Sequence, residues 1–340
     1  MSLPLYDFLS APLWLINILH VVTLALHLIA MNFLFGGLVV ILLSKISGRW
    51  QNPTVLRYVD LLPVAMAITV TLGVAPLLFV QLVYPRQMYS AAIVSGWFWL
   101  LIFPVVILAY YFVYGAAFSK TPESHNGRYL LVSLLGFVYV SLVYSTVFSL
   151  GENPQLCHTA YAADAGGWTI NPDVGSWVFR WLHEIAGTIT VGGFFVGLVG
   201  RNDESVYGAG KQFFTWGMAA TAILGLIQVF RLGDYLAPLM RTSAIWALMV
   251  GIVLSLGSLH FYFKKRFVPS GAMVLVSVIM MIYTRHHLRL LHLTGQYDPS
   301  TLPVQTQWMI FLMFLVLFLI SLALIWYMLR LYGAHLKTVD

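Results

Sequence analysis

Charge is what this sequence has least of. Only 9% of its 340 residues are Asp, Glu, Lys or Arg, while 60% are hydrophobic, against roughly a quarter charged in soluble domains. A water-facing surface cannot be built from so few charges, and a mean hydropathy of +0.86 marks a polytopic membrane protein. Cysteine is nearly absent too. The single Cys157 excludes an internal disulfide and an iron–sulfur cluster held by four thiolates. There is no glycine-rich phosphate loop, no zinc-ligand spacing and no Ser/His/Asp arrangement placed for nucleophilic chemistry. Proline and glycine do not gather into a linker and no strong internal repeat stands out, so residues 1–340 read as one integral-membrane domain. The N-terminus lacks the basic region and small-residue cleavage site of a secretory signal.

What is present is a series of long apolar runs. Stretches of 18 or more mostly apolar residues mark spans, here at about 12–43, 61–84, 92–118, 129–150, 175–199, 211–231, 242–263, 267–290 and 306–332. The expected fold is an all-α bundle of about nine transmembrane helices. Lys and Arg concentrate in cytoplasmic loops. One set of loops, with the C-terminus, holds Lys45, Arg49, Arg57, Lys120, Arg128, Arg201, Lys211, Lys264, Lys265, Arg266, Arg330 and Lys337. The other holds Arg86, Arg231, Arg241, Arg285 and Arg289, with Arg180 just inside span five. This bias puts the N-terminus outside and the C-terminus in the cytoplasm of a bacterial inner membrane. The net charge of +6 is then an orientation signal and not a nucleic-acid surface.

Histidine inside a bilayer is costly without a partner and marks a functional position. Histidines on facing helices also hold haem iron in bundles. His20 and His183 each lie about seven residues into a span entered from the outer face, as does Met249 in span seven, roughly 10 Å down. His/His and His/Met pairs both ligate haem. Gly187, Gly192 and Gly193 follow His183 and leave room for a flat macrocycle or a closely packed helix. His27 sits two turns below His20 on the same face, with three readings open: a second ligand, a histidine bonded to a backbone carbonyl or hydroxyl, or a proton relay. Glu184 neighbours His183, about 100° round the helix, where it pairs with Arg180 or holds a proton.

The nine spans, the outer N-terminus, the histidine of span one and the run W-x-x-R-W-L-H-E-I-A-G-x-x-x-x-G-G-F in span five resemble subunit I of the cytochrome bd-type quinol oxidases. TLGVAPLLFVQLVYP at the end of span two resembles that family less closely. The resemblance implies Met249 opposite His183 on a low-spin haem b, and His20 on a second haem. The departures matter as much. Span three, SGWFWLLIFPVVILAYYFVYG, carries no acid where the oxidases keep carboxylates for oxygen reduction. The connection between spans six and seven, RLGDYLAPLM, is too short for the oxidases' quinol-binding loop.

The sequence therefore reads as a divergent relative. It is expected to carry one or two haems b and to pass electrons between the quinone pool and a periplasmic c-type cytochrome, within a complex of other subunits. A terminal oxidase subunit, a haem-free proton-coupled transporter using Arg180, Glu184 and His27, and a non-redox anchoring subunit are the alternatives. Two further clusters stand apart. Cys157-His158 has the end of a haem c attachment motif, but Pro154 occupies the first cysteine position, so a loop cysteine is the preferred reading. His286, His287 and His292, with Arg285 and Arg289, close span eight at the outer surface, where a solvated helix end competes with contact to a quinone, a haem propionate or an acidic partner.

Overall fold

The computed structural model describes residues 8–43, 52–119 and 126–339. Lys45, Arg49 and Lys120 of the orientation argument lie outside them. Among the described residues the protein is all-α, with nine helices long and apolar enough to cross a membrane. These are α1 (Leu13–Leu43), α2 (Pro53–Val83), α3 (Gly96–Ala117), α4 (Asn126–Gly151), α5 (Val174–Val199), α6 (Glu204–Arg231), α7 (Ala244–Phe263), α8 (Phe267–His292) and α9 (Trp308–Val339). Short helices Pro85–Val94 and Pro154–Ala163 occupy the α2–α3 and α4–α5 connections.

Two helices begin a full two turns before their apolar runs, and capping explains both. Asn52 accepts from the Thr54 N–H at 2.8 Å with Pro53 as the first helical residue. Asp203 accepts from Ser205 and Val206 at 3.0 and 3.2 Å. Such caps satisfy N–H groups that the first turn leaves without helical partners, so a polar turn extends the helix beyond what hydropathy detects. The two caps also bond each other, with Asn52 Nδ2 donating to Asp203 at 2.9 Å. That amide, with Ser205 and the backbone N–H groups, holds the Asp203 carboxyl down at about 2.

The contact of equivalent helix starts is one sign of a larger regularity. The chain packs as hairpins α1–α2, α3–α4, α5–α6 and α7–α8. Helix α1 also packs on α8 as α5 does on α4, and α1 crosses α5 in the middle. The crossing is built on glycine. A side chain on Gly36 would collide with the Thr188 carbonyl, and one on Gly192 would collide with the Gly36 backbone. Apolar burial does not drive helix association in lipid, so close backbone approach at small residues takes that role. A π-turn over Asn32–Gly36 shapes α1 at the crossing, and such turns concentrate at functional sites.

Aligning the two crossing glycines aligns the halves. His27-x-Ile29-Ala30 leads to Gly36-Gly37 as His183-x-Ile185-Ala186 leads to Gly192-Gly193. Thr69-x-x-Leu72-Gly73 in α2 matches Thr221-x-x-Leu224-Gly225 in α6. Ser133 of α4 donates to the Ala109 carbonyl of α3 at 3.0 Å, and Ser277 of α8 donates to Gly251 of α7 at 3.0 Å. The chain is thus a parallel repeat of two four-helix units, α1–α4 and α5–α8. The residue matches are few, in keeping with a sequence in which no strong internal repeat stands out. Helix α9 stands outside both units: no residue of its most apolar stretch is buried. It is tethered through Leu9, which donates to Pro303 at 2.8 Å and accepts from Gln305 at 2.9 Å. The face at which α1 begins also carries the α2–α3, α4–α5, α6–α7 and α8–α9 connections and is called the entry face below.

Candidate functional site: paired histidines below a buried arginine cluster

His27 and His183 occupy equivalent places in the two units. Each precedes its crossing glycine by nine residues, about 14 Å of helix. His27 Nδ1 lies 2.9 Å from the Thr69 carbonyl and His183 Nδ1 lies 3.0 Å from the Thr221 carbonyl. A carbonyl only accepts, so Nδ1 carries the proton in both rings and the Nε2 lone pair is left free. The matching glycines make space for the rings. A Cβ on Gly73 would stand 2.8 Å from His27 Cε1, and one on Gly225 would stand 3.1 Å from His183 Cε1. A ring held by Nδ1–H to a backbone carbonyl, with Nε2 available, is the way proteins orient a metal-ligating histidine. Beside Gly187, one turn beyond His183 on the same face, nothing lies within 4 Å of where a side chain would begin.

This placement corrects the depth argument. Counting from span starts paired His20 with His183, but measured from the α1–α5 crossing the counterpart of His183 is His27, and His20 lies two turns nearer the entry face. His20 is buried, and its Nδ1 has no hydrogen-bond partner. Arg289 and His286 of α8 are its electrostatic neighbours. Met249 lies on α7. It is 52% exposed, on a helix that packs mainly on α8 and to a lesser extent on α6. Glu184 is exposed and pairs with Arg180 at 3.6 Å, one of the two roles expected of it. Cys157 is buried, which pushes its thiol up to about 11, while His158 beside it is exposed. Neighbouring residues facing opposite sides suit a packed loop thiol better than a haem attachment.

The group that sequence reasoning passed over is Glu152. Its side chain is only 7% exposed and is ringed by cations from two helices. Arg285 donates to it at 2.5 Å, Arg289 at 3.2 Å and His292 at 3.3 Å, with Arg180 at 3.8 Å. Arg180 also donates to the Ser145 carbonyl, and the Arg289 guanidinium lies 5.3 Å over the Tyr84 ring. Burial would raise the Glu152 pKa, but Arg285, the His292 hydrogen bond, Arg180 and Arg289 outweigh it and hold the carboxyl well below the usual range. The signal was in the spacing of its partners: Arg285, Arg289 and His292 recur at i, i+4 and i+7, one face of α8. The cluster stitches α4, α5 and α8 together at the entry face, across the junction between the units.

No family model, curated protein or solved structure matches this chain. The functional reading rests on the residues themselves.

Proposed function

We propose that this protein is a haem b-carrying subunit of a membrane electron-transfer complex, a divergent relative of cytochrome bd subunit I. In this reading it exchanges electrons between the quinone pool and a c-type cytochrome at the outer face of a bacterial inner membrane. The observation that carries the reading is the duplicated histidine: His27 and His183, each fixed through Nδ1 to a carbonyl of the next helix, each with Nε2 free. Ligand histidines need such orientation by a backbone acceptor, with the other ring nitrogen left available. Bound haem iron would supply one-electron chemistry. The chain's own residues do the rest: Thr69 and Thr221 set the ring orientations, Gly73 and Gly225 admit the rings, and the apolar walls exclude water. His20 is a further candidate ligand or proton-holding group, nearer the entry face. The acid-free α3 argues against turnover as an oxidase, because proton delivery to a buried oxygen site normally relies on carboxylates whose charge the environment can tune.

The decisive measurement is the reduced-minus-oxidised optical spectrum of the purified full chain. Bands of b-type haem, reducible by quinol analogues and reoxidised by a c-type cytochrome, are expected. Colourless protein that retains its fold would reject the proposal and turn attention to a transporter or anchoring role. Rapid cyanide-sensitive oxygen consumption would instead restore the oxidase reading.

A further inference from the structure

A cavity of about 130 Å³ opens at the entry face, apart from the histidines and from the short α6–α7 connection. Leu9, Leu82, Pro85 and Leu302 form apolar walls, and Arg86 and Tyr297 bring polar groups to it. We propose that this cavity is a binding site for a quinone headgroup, a proposal that rests on the quinone-linked reading above.

Size comes first. At about 130 Å³ this space is slightly smaller than the apolar cavity of about 150 Å³ that takes up a benzene ring, so a single six-membered ring would enter with one edge in the open mouth and its tail continuing into lipid. The walls are built and not merely a gap between loops. The Leu9 bonds to Pro303 and Gln305 fix one side. The Tyr297 hydroxyl donates to the Val83 carbonyl at 2.5 Å, which fixes the phenol at the end of α2. Small-molecule sites of this kind are mostly apolar with a few converging polar groups. Here the exposed Arg86 guanidinium can donate to a quinone carbonyl, and the Tyr297 oxygen, its proton already committed, can accept from a quinol hydroxyl. A lipid acyl chain would use neither.

The surroundings add a second observation. The Tyr297 and Tyr84 rings meet edge to face at 5.9 Å, and Tyr84 lies under Arg289 of the Glu152 cluster. Tyr84, Gln87, Glu152 and Arg289 line a smaller void of about 20 Å³, which is room for about one water. The Tyr84 hydroxyl and Gln87 Oε1 are buried there without partners, as expected of groups that such a water would bridge. The ring site therefore adjoins, through the Tyr84–Tyr297 contact, a small and mostly apolar void to which these few polar groups converge.

The test is photolabelling of the full chain in nanodiscs with a short-tailed azidoquinone, competed by excess unlabelled quinone. Label is expected in the peptides containing residues 82–86 and 297–302. Leu302→Trp, which fills the cavity from a connecting segment, should lower labelling about ten-fold, or about 1.4 kcal/mol. Arg86→Ala should lower it less. Both variants should keep wild-type helicity and thermal midpoint; a variant that loses either is replaced by Leu82→Phe. Label that is not competed, or that spreads along α9, identifies general lipid partitioning and overturns the site. A haem spectrum of the same sample separates the two proposals. Haem bands without competed label at the cavity sink the quinone site alone, and competed label in colourless protein sinks the electron-transfer reading while the site stands.

Discussion

The two four-helix units repeat the same frame but differ at the entry face. Below it they match: His27 with His183, Gly73 with Gly225, Gly36 with Gly192, and the Ser133 and Ser277 bonds to neighbouring carbonyls. Above it they diverge. Two turns beyond His27 stands the buried His20, whereas two turns beyond His183 stands Ser176, which bonds Ser149 at 3.0 Å. Arg180, tied to Glu152 and Glu184, occupies in α5 the place that Leu24 holds in α1. Close packing and ring orientation thus follow the repeat, while charge does not. A shared scaffold supports two like-oriented histidines in unlike electrostatic surroundings.

The crossing glycines are where the comparison breaks most completely. Gly192→Leu should leave no monodisperse folded protein, because even a first side-chain atom meets the Gly36 backbone and neither backbone can yield without separating the units. Gly187→Ala, five residues earlier with open space around it, should fold normally. Size-exclusion profiles and thermal midpoints read the contrast. Equal behaviour of the two variants would mean that the units do not meet as described.

The next largest effect concerns haem. If the histidines are equivalent, His27→Ala and His183→Ala should each remove one spectrally distinct haem, with protein yield unchanged, and the double variant should be colourless. Loss on His183→Ala alone, with His27→Ala indistinguishable from wild type, would confine the site to the second unit and make His27 a packing residue.

The Glu152 cluster tests the difference between the units instead of their likeness. Glu152→Gln leaves Arg180, Arg289 and the partly exposed Arg285 around a neutral amide, and breaking a buried ion pair costs about 3–5 kcal/mol, of which the exposure of Arg285 removes part. The same logic gives a pH dependence. A carboxyl held below its ordinary value of 4.5 contributes stability that is complete above that value and is lost as pH falls through the lower folded-state value. Wild-type thermal midpoints should therefore drop steeply below about pH 4.5, and Glu152→Gln should flatten that slope. An unchanged acid slope in the variant would assign the acid sensitivity elsewhere.

Much of this frame is legible in the sequence. Nine apolar runs specify nine helices, and the Arg180–Glu184 pair follows from helical spacing. The repeat is not legible at a glance, because only His, Ile, Ala and the two glycines agree across the aligned eleven residues, and these occur 156 positions apart. Depth was misjudged for a related reason. A span start is set by capping and by lipid contact, whereas the common reference for two helices is the point at which they touch, and that point is a glycine pair. Met249 shows the same limit: residue counting gives a height but not a facing. Glu152 escaped because a carboxylate next to a span end looks solvated until three arginines arrive from elsewhere in the chain.

The finest test of equivalence lies in the glycines that admit the rings. Alanine at Gly73 would place its Cβ 2.8 Å from His27 Cε1, and alanine at Gly225 would place it 3.1 Å from His183 Cε1. Both approaches are tighter than van der Waals contact, at about 3.5–4.0 Å between carbons, so each ring must shift, and the His27 ring must shift further. The expected outcome is a partial effect and not loss: a displaced band and a weakened haem affinity, larger for Gly73→Ala than for Gly225→Ala, of the order of the 10–100-fold that follows disturbance of a ligand's orienting contacts. Haem titration of the two purified variants measures it. If Gly73→Ala leaves affinity and spectrum untouched while Gly225→Ala alters both, the free Nε2 of His27 carries no ligand and the repeat is architectural in its first half.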